Sequence, residues 1–519
     1  MSERQAHTPA DMATFAQVIR THADQRPGAP ALTFEGTTQS FAELHAASSR
    51  AANVLLGLGV GQGDRIAVLC RNRPEYIELL VGCSKIGATL VGLNWRLAPA
   101  EVDEILKASQ LSIIFVGADE EALLSDEART RCSHVISLDN SYPTMCDAAA
   151  ANDPGYIGTP EELILLLYTS GTTGLPKGVT LTNRNMSYTW RLATESWEMS
   201  DASVNLVAMP LFHIGGCGYG SSTMMAGGHT ILMRDVDCDV AIDLMQKHRV
   251  THAFFVPTVV QGLLRVEGVE NADLSAMELL MSGAAPIGDV LLSKAMKVFD
   301  CNFMHAYGMT EAAGTVVTLR PEDHALEGDN AKLLKSCGRP LPWVELRIID
   351  PITKKDAAPG EPGEIWLRSE MITPGYWNDP AATQEAITQD GWFRTGDAAY
   401  RDADDYVFLF DRFKDMIISG GENIYPAEIE NALNAHDGIA ECGVIGVPHE
   451  KWGETPLAVI VPKAGAALSE TEIIEFCRNR IARYKCPTRV AFVSGLPRNA
   501  SGKLQKHILR EQFREPADA

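Results

Sequence analysis

The chain has 519 residues, with 67 acidic against 45 basic side chains and a formal net charge of −22. That length predicts more than one domain with sizeable cores. A composition 45% apolar and 22% charged excludes wholesale disorder, and the acid excess disfavours nucleic acid or an anionic membrane as partner.

The N-terminus, Met1 to Asp11, is polar and has no basic n-region, and nowhere do 18 apolar residues run together. A cytoplasmic protein without a transmembrane segment is expected, as a monomer or a homodimer. Eleven cysteines are scattered from Cys70 to Cys486 with no C-x-x-C pair, which predicts reduced thiols. In chain order, Phe41–Leu58 carries apolar residues at helical spacing and ends among glycines. Arg65–Cys70 follows as a strand, Pro74–Ile86 as a helix and Ala88–Leu93 as a strand. This alternation predicts an α/β fold, its large N-terminal domain made of layered, mostly parallel sheets with helices.

After about Ser336 the texture changes to a β-rich subdomain, with strands at Glu345–Asp350, Gly363–Ser369 and Tyr406–Phe410. A charged link lies at Asp411–Asp415. Beyond it come a helix at Pro426–Ala435, strands at Gly443–Val447 and Leu457–Pro462, a helix at Ser469–Ala482 and a strand near Val490–Val493. These make a small α+β C-terminal domain, so the expected division is 1–411 and 412–519.

Leu163–Gly178 reads LILLLYTSGTTGLPKG: an apolar strand running into a loop with glycines, hydroxyl residues and Lys177. Such a loop offers backbone N–H groups and hydroxyls to an anion. It is not the G-x-x-x-x-G-K-[ST] phosphate loop, because Pro176 and Gly178 stand where that pattern needs Gly and Ser or Thr. Together with PLFHIGG (Pro210–Gly216), SGAAP (Ser282–Pro286), YGMTE (Tyr307–Glu311), TGD (Thr395–Asp397), DRFKDMIISGGENIYPAEIE (Asp411–Glu430) and PRNASGK (Pro497–Lys503), it resembles the signature set of the AMP-forming acyl-CoA synthetases of the adenylate-forming superfamily. The resemblance runs from about Phe41 to Leu509.

The resemblance implies that a carboxylic acid and ATP give an acyl-adenylate and pyrophosphate, and that the thiol of coenzyme A then takes the acyl group. The first step brings two anions together, and in a low-dielectric site their repulsion reaches several kcal/mol, about 4 kcal/mol for unit charges 4 Å apart at an effective dielectric of 20. Mg²⁺, lysine and oriented donors must offset it. By resemblance, Thr169, Ser170, Gly171, Thr172, Thr173, Gly174 and Lys177 cradle the phosphates, and Thr310 donates to the α-phosphate. Glu311 holds Mg²⁺. Gly283, Ala284 and Ala285 approach adenine, Tyr307 stacks on it with Gly308 beside it, Asp397 accepts the ribose hydroxyls, and Arg412 contacts the nucleotide. Lys503 bridges the carboxylate and α-phosphate. Lys414 occupies the hinge, where many members carry Asp, and the small domain is expected to be mobile about it.

His213, Phe255, Thr258, Met281, Ser282, Gly283, Gly308 and Ala313 are placed by the resemblance around the acid. Glycines at 283, 308 and 314 leave room for a medium- or long-chain fatty acid, or an aryl or arylalkanoic acid. Ser419, Gly420, Gly421 and Glu422 are expected to guide the thiol. The segment Cys477–Arg510 holds nine basic residues and no acidic one, and Arg483 and Lys485 within it are expected to hold the CoA nucleotide. Three rivals remain at this level. One is a free-standing enzyme that loads a carrier protein; with sixteen residues after Lys503, an attached carrier domain is not expected. The others are a luciferase-like oxygenase and a non-catalytic adenylate-binding protein, which would be expected to have lost Lys503, Glu311 or Asp397.

Overall fold

The computed structural model describes residues 14–169, 176–284, 287–351, 353–412, 415, 417–419, 422–449, 452–498 and 504–513. The chain forms two compact units. One comprises Met1–Leu334, Pro340–Glu345 and Arg368–Phe393, and the other comprises Lys335–Arg339, Leu346–Leu367 and Arg394–Ala519.

The larger unit carries two sheets that are parallel in their interiors and antiparallel at edges. In the six-stranded sheet the order is His134–Ser137, Ile113–Val116, Arg65–Leu69, Thr89–Leu93, Leu163–Thr169 and Lys177–Thr182, and only the last pair is antiparallel. Strands buried on both faces need continuous apolar runs, which is why Thr89–Leu93 and Ile113–Val116 are buried at every residue. In the nine-stranded sheet, Gly314–Leu319, Asn302–Met309, Leu279–Gly283, His252–Phe255, Val204–Val207 and His229–Leu232 are successive neighbours. The helix Phe41–Gly57 opens with a capping box between Ser40 and Glu43, and Pro74 starts Pro74–Ser84 at a position whose N–H has no helical partner.

Side chains alternate along each strand of the nine-stranded sheet, so register assigns every residue to a face. Asn205, His252 and Leu279 are neighbours across strands, and two residues on so are Phe254, Met281 and Met304. This face receives the helix Ile214–Met225: a Cβ on Gly220 would lie 2.9 Å from Val207 Cγ1. The opposite face carries Phe255, Leu280 and Phe303 into a separate apolar core with Phe299 and Leu263.

The smaller unit holds a four-stranded sheet, Glu345–Ile349, Gly363–Arg368, Phe393–Arg401 and Val407–Arg412, in that order. It also holds the sheet built on the long antiparallel pair Ile439–His449 and Gly453–Pro462. Those two strands outrun the expected apolar runs because backbone pairing continues through Glu441 and Glu454, whose side chains need no burial. The helix Glu470–Arg478 ends before the expected Ala482, with Asn479 as its C-cap. The division into units also differs from a break at residue 412. Residues 335–339 hydrogen-bond to Val407, and the helix Pro426–Asn434 packs near Val407–Arg412, so the four-stranded sheet groups mainly with the C-terminal residues.

Candidate active site

Antiparallel pairing of Leu163–Thr169 with Lys177–Thr182 sets Thr169 opposite Lys177. The Thr169 hydroxyl donates to the Lys177 carbonyl at 3.5 Å. Ser170, Gly171, Thr172, Thr173 and Gly174 lie outside the described residues, as do Ala285, Lys414, Gly420, Gly421 and Lys503.

A segment absent from the motif reading organises this corner. Thr180 donates to the Gly375 carbonyl at 2.6 Å, Thr373 donates to the Thr180 carbonyl at 2.6 Å, and the Trp377 N–H donates to the Gly178 carbonyl at 2.7 Å. So held, Tyr376 lies under Lys177, whose Nζ is 5.2 Å from the ring centroid, and its hydroxyl donates to Glu311 Oε1 at 3.1 Å. The Thr373 N–H donates to the Glu311 carbonyl at 2.7 Å. Tyr376 thus joins a cation and a carboxylate 134 positions apart in sequence.

Glu311 sits in the single turn Thr310–Ala312, half-buried. The turn is closed by Ala313 and Gly314, at φ of +51° and +120°, and a Cβ on Gly308 would lie 1.9 Å from the Gly314 carbonyl oxygen. Only glycine fits at 308. Tyr307 is buried on the preceding strand. Gly283 ends its own strand with room for no side chain, since a Cβ would lie 2.4 Å from Ala306 O, and Ala284 follows at φ +63°. Among the described residues no group of three or more His, Cys, Asp or Glu side chains could hold a metal ion. A lone carboxylate of this kind suits Mg²⁺ arriving with phosphate oxygens and waters, which needs only one or two protein carboxylates.

His213 is the N-cap of Ile214–Met225, its ring 4.5 Å from that of Phe212. The turn before it is tight: the His213 N–H donates to Pro210 O, and a Cβ on Gly216 would lie 1.9 Å from that oxygen. The acid-binding set divides by strand face. Met281 and Gly283 face the helix, whereas Phe255 and Ser282 face the other way, and Thr258 is exposed. Phe254 takes the helix-facing place: Cβ atoms on Gly215 and Gly283 would meet its ring at 3.3 and 3.2 Å, and Tyr219 packs 5.4 Å from it. Two adjacent phenylalanines gave the sequence pattern no means of choosing between them.

In the smaller unit, cross-strand register sets Asp397 opposite Arg412. The Asp397 N–H donates to Thr395 Oγ1 at 3.0 Å, Gly396 adopts φ +70°, and its N–H donates to Glu364 at 3.1 Å. Ser419 pairs with Glu422 and with Gly453. Four of the nine basic residues of 477–510 meet carboxylates among the described residues. Lys485 reaches both carboxylate oxygens of Glu428 at 2.8 Å, Arg498 reaches Glu441 at 2.7 Å, Lys506 reaches Glu430 at 3.0 Å and Arg510 reaches Asp415 at 2.6 Å. Arg483 is exposed.

Comparison with known proteins agrees with this arrangement. The family model described as AMP-binding enzyme matches residues 19–377, and the one described as AMP-binding enzyme C-terminal domain matches 428–503. The chain belongs to the AMP-binding enzyme family, within the adenylate-forming superfamily. It is 36% identical to the fatty acid–[acyl-carrier-protein] ligase ScoC of Streptomyces coeruleorubidus, over 98% of each chain. It is 37% identical to a feruloyl-CoA synthase of an Amycolatopsis species, over 95% of this chain and 97% of the relative. Among solved structures it resembles o-succinylbenzoate CoA synthetase of Bacillus subtilis in complex with its acyl-adenylate intermediate, with TM-score 0.87 and 31% identity over 96% of this chain and 98% of that one. Among the described residues, no helix is long and apolar enough to cross a membrane.

Proposed function

We propose that the residues above carry out both halves of an AMP-forming acyl-CoA ligase reaction, in which a carboxylic acid is activated as its acyl-adenylate and the acyl group is passed to coenzyme A. The observation that carries this reading is the Lys177–Tyr376–Glu311 chain, which sets a cation and a carboxylate at the end of the strand pair Leu163–Thr169 and Lys177–Thr182. Lys177 and Thr169 would meet the phosphate tail, and Thr310 the α-phosphate. Glu311 would hold Mg²⁺, which when bound neutralises phosphate charge. Tyr376 fixes the Glu311 carboxylate. Tyr307 and the bare backbone at Gly283 and Ala284 would take the adenine, Asp397 the ribose and Arg412 the nucleotide.

Lys503 would bridge the carboxylate and α-phosphate, and a functional joint at Lys414 would let residues 412–519 serve adenylation and thioester formation in turn. The acid would enter by His213 beside Phe254, with fatty and aryl acids as the candidate classes. For CoA, Arg483 is the exposed cation to test, because Lys485 is already neutralised by Glu428. A cytoplasmic setting fits the enzyme's substrates.

Similarity to ScoC favours one second reading, in which a carrier protein's thiol replaces that of CoA. The test is pyrophosphate release across fatty and aryl acids, followed by AMP formation with CoA or with a phosphopantetheinylated carrier protein. CoA-dependent AMP formation supports the first reading, carrier-dependent formation the second. No pyrophosphate with any acid refutes both.

A further inference from the structure

Asn72 joins the two sheets of the larger unit. The strand Arg65–Leu69 ends in the short connection Cys70–Arg73, and Pro74 then starts the next helix, which keeps Arg73 extended. Within this connection Asn72 is 3% exposed. Its Nδ2 donates to the Met209 carbonyl at 3.0 Å, and its Oδ1 accepts from the Leu211 N–H at 2.8 Å. Its own N–H donates to the Arg234 carbonyl at 3.2 Å. Met209 and Leu211 follow the strand Val204–Val207, and Arg234 follows His229–Leu232. One residue of the six-stranded sheet thus ties the carboxyl ends of two neighbouring strands in the nine-stranded one.

The two side-chain bonds bracket Pro210, from the carbonyl before it to the N–H after it. Pro210 O in turn accepts from the His213 N–H at 3.0 Å, and the His213 carbonyl accepts from Gly216 and Cys217 at 2.9 Å. A Cβ on Gly92 would lie 3.2 Å from Phe212 Cα, and one on Gly314 would lie 3.8 Å from Ile214 Cγ1. The sequence neighbours of His213 therefore pack at Gly92 and at Gly314, which closes the turn bearing Glu311. An amide of this length presents a donor and an acceptor side by side. Aspartate would set a second acceptor against Met209 O, and alanine would leave both buried backbone groups unmet.

Taking as given that His213 flanks the carboxylate of the acid, we infer that Asn72 is a positioning residue for acid binding, acting through the His213 turn. Its bonds fix Met209 and Leu211, and so the Pro210 carbonyl that sets the His213 backbone. A misplacement of about 1 Å at a substrate-positioning group costs about 10²-fold in rate. ATP, met in the proposed function by Lys177 and Thr310, should not feel the change.

The test measures pyrophosphate release by the whole chain with the fastest of decanoic, phenylacetic and cinnamic acids. The parent, Asn72→Ala, His213→Ala and the double variant are compared. Asn72→Ala should raise KM for the acid at least about tenfold while KM for ATP stays within about twofold. The double variant should lie within about twofold of His213→Ala, because both changes remove one effect. Equal rises in the two KM values, or a fall in kcat with KM for the acid unchanged, overturns the inference, since Asn72 would then only hold the fold. So does a double variant whose loss is the product of the two single losses. If Asn72→Ala does not fold, Asn72→Asp, which keeps the acceptor for Leu211, passes through the same cycle with the same outcomes. A parental KM for the acid in His213→Ala, or no pyrophosphate with any acid, instead refutes the placement of the acid on which the inference rests.

Discussion

Replacing Tyr376 by Phe removes one atom, and the structure says what that atom does. The ring stays, so its attraction to Lys177, worth about 0.5–1 kcal/mol at such a site, is retained. The backbone bonds of Thr373, Gly375 and Trp377 also stay. What is lost is the hydroxyl's bond to Glu311 at 3.1 Å. A hydrogen bond to a charged group contributes about 1.5–3 kcal/mol, and the long distance and partial exposure place this one near 1.5 kcal/mol. That is about tenfold in kcat/KM. Initial rates of pyrophosphate release, measured over a grid of ATP and Mg²⁺ concentrations, should show that tenfold loss with a raised Mg²⁺ half-saturation and nearly unchanged melting. Tyr376→Leu, which also removes the ring, should lose roughly a further threefold to tenfold. If Tyr376→Phe kept the parent Mg²⁺ dependence while Tyr376→Leu failed, the residue would act by packing alone and the Glu311 argument would be wrong.

Four other outcomes follow from particular contacts. Lys503→Ala should lower adenylation about 10²–10³-fold, as loss of one preorganised donor does, while thioester formation from supplied acyl-adenylate is largely kept; equal losses in both halves refute the assignment. Arg483→Ala should raise KM for CoA severalfold in a salt-sensitive way without changing that for ATP, whereas Lys485→Ala should chiefly weaken thermal stability by freeing Glu428. Gly216→Ala drives a Cβ into Pro210 O and should destabilise by about 2–3 kcal/mol, while Gly28→Ala, with nothing within 4 Å, should stay within about 0.5 kcal/mol in denaturant melts.

The fourth concerns Asp153. Burial pushes its carboxyl up, but bonds from Arg20 and the Gly155 N–H, with Lys85 beside it, hold it well below 3.8. Its contribution is therefore present above about pH 4 and lost as pH falls further. Burial lowers fully enclosed Lys85 from 10.5 to about 8, so that penalty is complete below pH 8 and is relieved between about pH 8 and 10.5. Asp153→Asn leaves Lys85 and Arg20 without their counter-charge and should lower stability by about 3 kcal/mol at pH 7. It should also flatten the acid limb of a melting-against-pH profile. An unchanged limb would refute the pairing argument.

Much of the architecture was legible because its signals are local. Apolar runs bounded by glycine marked Arg65–Leu69 and Thr89–Leu93, and Pro74 marked the start of its helix. The motifs that mark the family were legible for the same reason, since each is a short contiguous string. What stayed hidden depends on distant pairing. Tyr376 gains its place from hydrogen bonds to Thr180 and Gly178, nearly two hundred positions away, and no string around it announces that. In the basic run from Cys477 to Arg510, the pairing of Lys485, Arg498, Lys506 and Arg510 could not be read, because their partners Glu428, Glu441, Glu430 and Asp415 come from earlier segments.

The alternation of faces through residues 252–255, 279–283 and 302–309 also divides the protein's capacity for change. Phe254, Met281 and Met304 front the helix, while Phe255, Leu280 and Phe303 are locked into the core behind. On the proposed placement of the acid, a library at half-buried Phe254 should change the preferred acid at little cost to folding. The same library shifted by one position would return unfolded protein. A proposed acid-facing position and a core position thus sit side by side at Phe254 and Phe255, one residue apart on the same strand.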